Sequence, residues 1–173
     1  MKTIYLSLGS NLADRLRNIG EMRRLVSKFL CKPVKVSRLM ETEPVGVAGK
    51  QRWYLNCILS GRFSGSAEEL LGKCRRVEKD LGRTRSKRYA PRTADIDVLM
   101  YNGELYRSSK LTIPHPRMLV RRFCLEGLKE IAPRTRVPGT GLTCGQLHGA
   151  MTKDVLSQKI NFLAWRHTRA KKG

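Results

Sequence analysis

The chain has few acidic and aromatic residues, and it lacks the patterns of several common protein classes. Of its 173 residues, 35 are Lys or Arg and 14 are Asp or Glu, so the formal net charge is +21. The five cysteines form no C-x-x-C pair, which argues against a zinc site and favours buried, reduced thiols. No apolar run is long enough to cross a membrane, and no basic leader precedes the first strand-like segment. We therefore expect a cytoplasmic protein without a membrane anchor.

Two glycine-rich nucleotide motifs are also missing. Neither the G-x-x-x-x-G-K-[ST] loop nor the G-x-G-x-x-G fingerprint occurs, so a bound nucleotide would have to be held by side chains and metal ions. Aromatic residues make up 6% of the chain, and no strand carries the clustered Phe and Tyr platform on which RNA bases stack. The positive charge nevertheless keeps a basic α+β RNA-binding domain open as an alternative.

The apolar periodicity predicts one domain over residues 1–152, followed by a basic extension over 153–173 that is partly docked or frayed. Strands are predicted at 3–8, 34–38, 53–63 and 95–101, with a helix after the first strand and another from the capping box at 66–69. The predicted first helix follows the capping turn at 9–11, and shorter helices are expected at 123–131 and 144–151. The Asn102-Gly103 pair predicts a tight turn that joins the last of these strands to a partner at 104–106. The order strand, helix, strand, strand, helix, strand is typical of a ferredoxin-like α+β sandwich, with a mainly antiparallel sheet covered by helices.

The segment from Arg88 to Leu99 carries the strongest chemical signal. Asp95 and Asp97 are two residues apart in a strand, so their side chains share one face and lie about 7 Å apart. Carboxylates at this spacing repel each other unless a cation lies between them, and oxygen ligands favour Mg²⁺ bound together with phosphate. Arg92, just before the pair, can donate two hydrogen bonds to phosphate oxygens. We therefore predict an Mg²⁺ site at this pair of carboxylates, and a two-metal nuclease would also carry such a pair.

Several separated motifs together resemble the 6-hydroxymethyl-7,8-dihydropterin pyrophosphokinase family. In chain order they are Gly9-Ser10-Asn11-Leu12, Glu41–Gly46, Tyr54-Leu55-Asn56, Leu81-Gly82-Arg83, Pro91-Arg92-x-x-Asp95-x-Asp97, Leu111–Met118 and Glu130–Pro133. The resemblance implies a ferredoxin-like fold and an enzyme of folate biosynthesis. Such an enzyme transfers pyrophosphate from ATP to a pterin alcohol with the help of Mg²⁺ and releases AMP.

The resemblance also implies roles for individual residues. Asp95 and Asp97 would hold two Mg²⁺ ions, and Arg83 and Arg92 would complete the catalytic set. The residues expected to bind ATP are Glu78, Arg85, Arg88, Tyr89, Val98, Lys110, Thr112, His115 and Arg121. Of these, Val98 would pack on the base and Glu78 would hold an arginine of the basic segment. Tyr89-Ala90 stands where the family often has Trp-Gly.

The pterin would bind at a separate group of residues. A flat polar heterocycle needs aromatic faces on both sides and amide groups at its edge. By resemblance, Tyr54 and Phe123 form the two faces and Asn56 contacts the edge. Backbone groups of Thr42, Pro44 and Val45 would complete the pocket.

Two polar segments and the C-terminus have further expected roles. Residues 43–53 and 83–91 lack apolar anchors, and we predict that they move and close over the bound ligands. Residues 166–173 are basic and are predicted to be frayed, with weak, nonspecific attraction to polyanions. We expect a monomer that binds ATP and 6-hydroxymethyl-7,8-dihydropterin and has no membrane partner.

Overall fold

A computed structural model describes residues 1–46, 51–83 and 90–165. The elements in chain order are β1 (Lys2–Ser10), α1 (Arg15–Ser27), β2 (Cys31–Val36), β3 (Leu39–Thr42), β4 (Tyr54–Phe63), α2 (Ala67–Asp80), β5 (Asp95–Tyr101), β6 (Tyr106–Arg107), β7 (Thr112–Ile113), α3 (Arg122–Ile131), α4 (Cys144–Gly149), α5 (Lys153–Ser157) and β8 (Ile160–Leu163).

The main sheet has the strand order β5-β1-β4-β3-β8, and β2 pairs with the far half of β4. The pairings within it are antiparallel. Strands β1 and β4 are adjacent although a helix and two strands separate them in the chain. The order confirms the predicted ferredoxin-like α+β sandwich.

Alternation along the strands divides the core into two layers. Leu6, Leu59 and Ile96 point to the face that α1 and α2 cover, and they belong to one apolar cluster. Ile58 and Leu99 point to the opposite face, where they pack in a second cluster with residues of α3. Because each strand supplies apolar side chains to both faces, the central strands are buried along most of their length.

Helix α1 begins later than the sequence suggested. We expected Gly9-Ser10-Asn11 to form the capping turn, but β1 continues to Ser10 and the N-cap is Asp14. Its carboxylate accepts a hydrogen bond from the Arg17 amide at 3.0 Å. The side chain of Asn11 is therefore available for other contacts, which the site uses. The predicted capping box of α2, between Ser66 and Glu69, is confirmed.

Two other expectations need correction. Asn102 and Gly103 have φ angles of 50° and 70°, which suit the predicted tight turn, but the chain after it does not pair with β5. Instead β6 pairs with β7 in a separate two-stranded sheet, and the His115 amide, just after β7, donates to the Leu99 carbonyl of β5 at 2.9 Å. All five cysteines are free, as predicted, but Cys31 is exposed at the start of an edge strand and only the other four are buried.

The first part of the predicted C-terminal extension is structured. Residues 153–157 form α5, and β8 pairs with β3 so that it extends the main sheet by one strand. The Trp165 indole N–H donates to the Ser37 carbonyl at 3.0 Å. The predicted frayed segment 166–173 lies outside the described residues. Among the helices of the described ranges, none is long and apolar enough to cross a membrane.

Replacing Gly72 by Ala is expected to raise the free energy of unfolding by about 0.4–1 kcal/mol. Gly72 lies inside α2, and a Cβ atom built there meets no atom within 4 Å, so the change mainly lowers the entropy of the unfolded chain. Gly127→Ala is the opposing control, because its Cβ would overlap the Ile58 side chain. Urea unfolding of both variants checks the prediction, and a destabilised Gly72→Ala would contradict it.

Candidate active site

The sheet face beneath α3 changes from apolar to polar along its strands. On β1, β4 and β5 the residues under α3 are Tyr5, Ile58 and Leu99, all buried in the second apolar cluster. Toward the other end of the strands, the same face carries polar groups around a cavity of about 350 Å³. The cavity is lined by Ser7, Gly9, Thr42, Glu43, Val45, Tyr54, Asn56, Arg92, Asp95, Asp97, Arg117, Arg121, Arg122, Phe123, Gln158, Lys159 and Ile160.

The cavity has two halves, one around Asp95 and Asp97 and one around Tyr54 and Asn56. Strand register places them next to each other. Gly9 of β1 pairs with Asn56 of β4 on one side and with Asp95 of β5 on the other. A Cβ atom at Gly9 would lie 2.8 Å from Asn56 Oδ1 and 3.9 Å from Asp95 Cβ. The missing side chain therefore lets the amide and the carboxylate approach each other across the central strand.

Gly9→Ala is expected to displace the Asn56 side chain and to destabilise the protein by about 1–3 kcal/mol through overpacking. The added methyl group would press on the Asn56 amide, whose Nδ2 donates to Thr42 Oγ1 at 2.9 Å. Thermal unfolding and the amide NMR signals of Asn56 would measure both effects. Unchanged Asn56 signals in a folded variant would contradict this account of Gly9.

Asp95 lies in a cluster of two arginines. Its Oδ1 is 2.9 Å from Arg83 Nη1 and 3.1 Å from Arg92 Nη1. Arg83 also pairs with Glu78, which accepts a second hydrogen bond from the Ile96 amide at 2.7 Å. Glu78 therefore links the end of α2 to the start of β5 and holds Arg83 beside Asp95.

Burial raises the pKa of Glu78 to about 7, although the Ile96 amide and Arg83 favour its charged form. Its ordinary value is 4.5, so the folded state binds a proton more tightly than the unfolded state. We expect the stabilising effect of this proton to be full below about pH 4.5 and to be lost as pH rises through about 7. Glu78→Gln should remove this part of the pH dependence. Urea unfolding between about pH 4.5 and 7 measures this dependence. If the free energy of unfolding changed equally with pH in the wild type and in Glu78→Gln, the prediction would be contradicted.

Asp97 faces a second set of basic groups. Arg121 Nη1 donates to Asp97 Oδ2 at 2.8 Å, and His115 Nε2 lies 3.7 Å from the same oxygen. Burial alone would raise the pKa of Asp97, but His115 and Arg121 outweigh it and keep the pKa below its usual value. The pKa of His115 is lowered, chiefly by burial, despite the opposing charge of Asp97. The Arg117 amide donates to His115 Nδ1 at 3.2 Å, which directs Nε2 toward Asp97.

The two carboxylates are suitable ligands for Mg²⁺ that also contacts phosphate. In residues 1–46, 51–83 and 90–165, no group of three or more His, Cys, Asp or Glu side chains is placed to hold a metal ion by itself. Mg²⁺ commonly takes one or two carboxylates from the protein and its remaining ligands from phosphate and water. Asp95 and Asp97 meet that requirement, and the arginines around them suit the phosphate oxygens.

The other half of the cavity is aromatic and amide-rich. Asn56 is 4% exposed, and its Nδ2 is fixed by Thr42 as described above. Tyr54 and Phe123 line the cavity, and so does Val45. Burial raises the pKa of the Tyr54 hydroxyl, against the effect of nearby Arg92. These side chains offer flat apolar surfaces and a fixed polar edge.

Asn11 connects one segment that was predicted to move, 43–53, to Arg92, the residue that directly follows the other, 83–91. Its Oδ1 accepts from the Arg92 amide at 2.8 Å, and its own amide donates to the Arg92 carbonyl at 3.1 Å. Its Nδ2 is 3.3 Å from Gln51 Oε1 and 3.5 Å from the Arg52 carbonyl. Of these segments, residues 47–50 and 84–89 lie outside the described residues.

The structure brings most of the predicted residues together, but not all of them. Arg85, Arg88 and Tyr89 lie outside the described residues, and Pro44, Lys110 and Thr112 do not line the cavity. Val98 is 2% exposed in the α1–α2 core and does not line this cavity, so its contact with the nucleotide base stays a prediction. The alternation that places Asp95 and Asp97 on one face directs Val98 to the other.

Sequence reasoning did not identify several of the cavity residues. Ser7 lies two residues before Gly9 on β1, so its place on the same face could have been found by alternation. Arg117 lies inside a matching motif but was not singled out. Glu43 lies inside the matching motif at 41–46 and Arg122 lies next to Arg121, but neither was singled out. No local signal marked the three residues of the extension, Gln158, Lys159 and Ile160.

Paired carboxylates among arginines, beside an aromatic and amide pocket, define a site for chemistry on phosphorylated ligands. Residues 5–133 match the model of the 7,8-dihydro-6-hydroxymethylpterin-pyrophosphokinase (HPPK) family. The chain is 38% identical over 143 residues to 2-amino-4-hydroxy-6-hydroxymethyldihydropteridine pyrophosphokinase of Bacillus subtilis, covering 82% of this chain and 85% of the relative. It is 36% identical over 138 residues to the protein of the same name from Aquifex aeolicus, covering 80% and 85%.

A solved structure shows the same fold. The crystal structure of Plasmodium falciparum HPPK-DHPS with pteroate superposes with a TM-score of 0.71 at 15% identity, over 94% of this chain and 47% of that one. The chain thus spans about half of that protein. The chain belongs to the HPPK family, and it is a pyrophosphokinase, an enzyme of the diphosphotransferase class.

Proposed function

We propose that the chain transfers pyrophosphate from ATP to 6-hydroxymethyl-7,8-dihydropterin, with two Mg²⁺ ions, and releases AMP in folate biosynthesis. The observation that carries the proposal is that one cavity contains both the Asp95 carboxylate and the Asn56 amide, which lie on either side of Gly9. One half suits the phosphates of a nucleotide, and the other suits a flat heterocycle. The hydroxymethyl group of the pterin would then lie between them.

The basic groups of the first half would hold and orient the triphosphate. Arg92, Arg121 and His115 surround the two aspartates, and Arg83 is kept in place by Glu78. Bound at Asp95 and Asp97, Mg²⁺ would neutralise phosphate charge and favour attack at the β-phosphorus. Because phosphoryl-type transfer needs little covalent chemistry from the protein, positioning and charge complementarity supply most of the rate.

The second half would hold the pterin between Tyr54 and Phe123, with Asn56 at its edge and backbone groups of Thr42, Pro44 and Val45 nearby. The Asn56 side chain is already fixed by Thr42, so it would lose little freedom when the ligand binds. We propose that segments 43–53 and 83–91 close over both ligands and exclude water, with Arg85, Arg88 and Tyr89 on the nucleotide side. Lys110 and Thr112 stay predicted contacts of the nucleotide.

The test is AMP release from ATP by the purified protein with Mg²⁺, in the presence and absence of 6-hydroxymethyl-7,8-dihydropterin. We expect AMP only when the pterin is present, in equal amount to the pyrophosphorylated pterin. AMP release without pterin, or no AMP at all, would contradict the proposal. Degradation of added DNA or RNA would favour a two-metal nuclease, and RNA binding without turnover would favour an RNA-binding domain.

We also propose that the protein acts as a monomer and that its positive charge attracts polyanions weakly and without specificity. Exposed basic residues such as Arg75, Arg76 and Lys79 of α2 have no acidic partner among the ion pairs of the described residues. Size-exclusion chromatography with light scattering tests the first statement. Retention on an immobilised polyanion that falls steeply with added salt tests the second.

A further inference from the structure

Part of the cavity wall comes from a segment that the family match does not include. The match ends at residue 133, whereas Gln158, Lys159 and Ile160 line the cavity. Gln158 and Lys159 connect α5 to β8, and Ile160 is the first residue of β8, at the edge of the main sheet. The segment therefore contacts the reaction site as well as extending the fold.

Gln158 contacts the backbone on both sides of Arg121. Its Nε2 donates to the Val120 carbonyl at 2.8 Å, and its Oε1 accepts from the Arg122 amide at 3.0 Å. Arg121 occupies the N-cap position of α3, and its own side chain makes no capping hydrogen bond. Gln158 thus supplies the missing cap from a distant part of the chain and fixes the peptide groups that flank Arg121.

Arg121 is the residue whose orientation depends on this contact. Its guanidinium donates to Asp97 Oδ2 at 2.8 Å inside the cavity. The side chain reaches the carboxylate from the first turn of a helix, so a small rotation of the N-terminus of α3 would move the guanidinium away from Asp97. The two hydrogen bonds of Gln158 oppose that rotation.

Gln158 is itself held in place by its neighbours. The Lys159 amide donates to Glu43 Oε1 at 2.9 Å, and Ile160 pairs with Thr42 in the sheet. Arg122 Nη1 donates to the Leu156 carbonyl at 2.8 Å and to the Gln158 carbonyl at 3.2 Å. The position of the Gln158 side chain is therefore determined before any ligand binds.

We propose that Gln158 is a positioning residue, which acts through Arg121 to set the nucleotide side of the site. The expected effect of Gln158 on turnover rests on the proposed function. Its effect on nucleotide binding can be measured without the pterin.

The experiment is a double-mutant cycle with Gln158→Ala, Arg121→Ala and the double variant. We expect Gln158→Ala to lower kcat/KM for ATP by about 10- to 100-fold, because small misplacements of catalytic groups cost this much. In the Arg121→Ala background the same change should have little further effect. Gln158→Glu keeps the oxygen that accepts from the Arg122 amide, so it should recover part of the loss.

Gln146→Ala is the matched control. The Gln146 side chain also caps a helix, since it accepts from the Thr143 amide at 2.9 Å at the start of α4, and it does not line the cavity. Gln146→Ala should lose about as much stability as Gln158→Ala but keep full activity. Losses from Gln158→Ala and Arg121→Ala that simply multiply in the double variant would overturn the proposal, as would wild-type activity in a folded Gln158→Ala protein.

A second measurement separates this proposal from the proposed function. Binding of a non-hydrolysable ATP analogue with Mg²⁺ is titrated without pterin in the wild type, the two single variants and the double variant. Gln158→Ala should weaken this binding only when Arg121 is present. A wild-type protein that binds the analogue but releases no pterin-dependent AMP would contradict the proposed function alone. Equal weakening by Gln158→Ala in both backgrounds would contradict the role of Gln158 alone.

Discussion

Asp97→Asn is expected to lower kcat/KM by about 10³-fold while the protein stays folded, because the stabilisation from a metal ligand is several kcal/mol. The substitution keeps the shape of the side chain but removes the charge that pairs with Arg121 and that, by our proposal, would hold Mg²⁺. The Arg121 side chain is 23% exposed, so the loss of this pair leaves its charge partly solvated and should not unfold the chain. Steady-state kinetics of AMP release, with circular dichroism as the check of folding, would measure the effect.

Asp80→Asn is the matched control for this prediction. Asp80 is an exposed acidic residue at the end of α2 that does not line the cavity, so its change alters the net charge equally. It should leave kcat/KM within about twofold of the wild type. If Asp97→Asn folded normally and kept near-full turnover, the assignment of the metal site would be wrong.

Asn56→Ala is expected to weaken pterin binding by about 1–3 kcal/mol, which is about 5- to 150-fold in Kd, because a polar edge of the buried ligand would lose its partner. Binding of an ATP analogue should change much less, since Asn56 lies on the other side of Gly9 from Asp95. Tyr54→Ala should show the same selectivity through loss of one aromatic face. Calorimetric titration of each ligand separately would measure the difference.

Asn161→Ala provides the comparison for Asn56→Ala. Asn161 lies exposed on β8, outside the cavity lining, and its pairing with Glu41 uses the backbone. Its replacement should change neither ligand affinity. If Asn56→Ala lost affinity for both ligands equally, the result would indicate a general disturbance of the sheet. It would contradict a specific role of Asn56 at the edge of the pterin.

Local sequence patterns determined much of the fold and the core of the site. Alternation along 53–63 and 95–101 set which residues of β4 and β5 share a face, and a strand has only two faces. That rule alone placed Asp95 with Asp97, and Tyr54 with Asn56. The capping box at Ser66 likewise fixed the start of α2, because both of its hydrogen bonds form within four residues.

Motif resemblance supplied the connection between the two halves of the site, which local patterns could not provide. No rule of spacing indicates that residue 56 lies across one strand from residue 95. The structure accounts for this by the register of β1, where Gly9 faces both residues. Resemblance also assigned Val98 to a nucleotide base, whereas strand alternation directs that side chain into the core, so this contact stays a prediction.

By itself, the sequence determined the strand faces, the carboxylate pair, the basic character of the site and the order of elements that defines the sandwich. Only the tertiary structure decided that α1 begins after Asp14, that Asn11 bonds to Arg92, and that β6 pairs away from β5. It also decided that Gln158 reaches the backbone around Arg121. These contacts join residues far apart in the chain, and their geometry depends on how whole strands and helices pack. Because no short window of sequence contains both partners, periodicity and spacing could not reveal them.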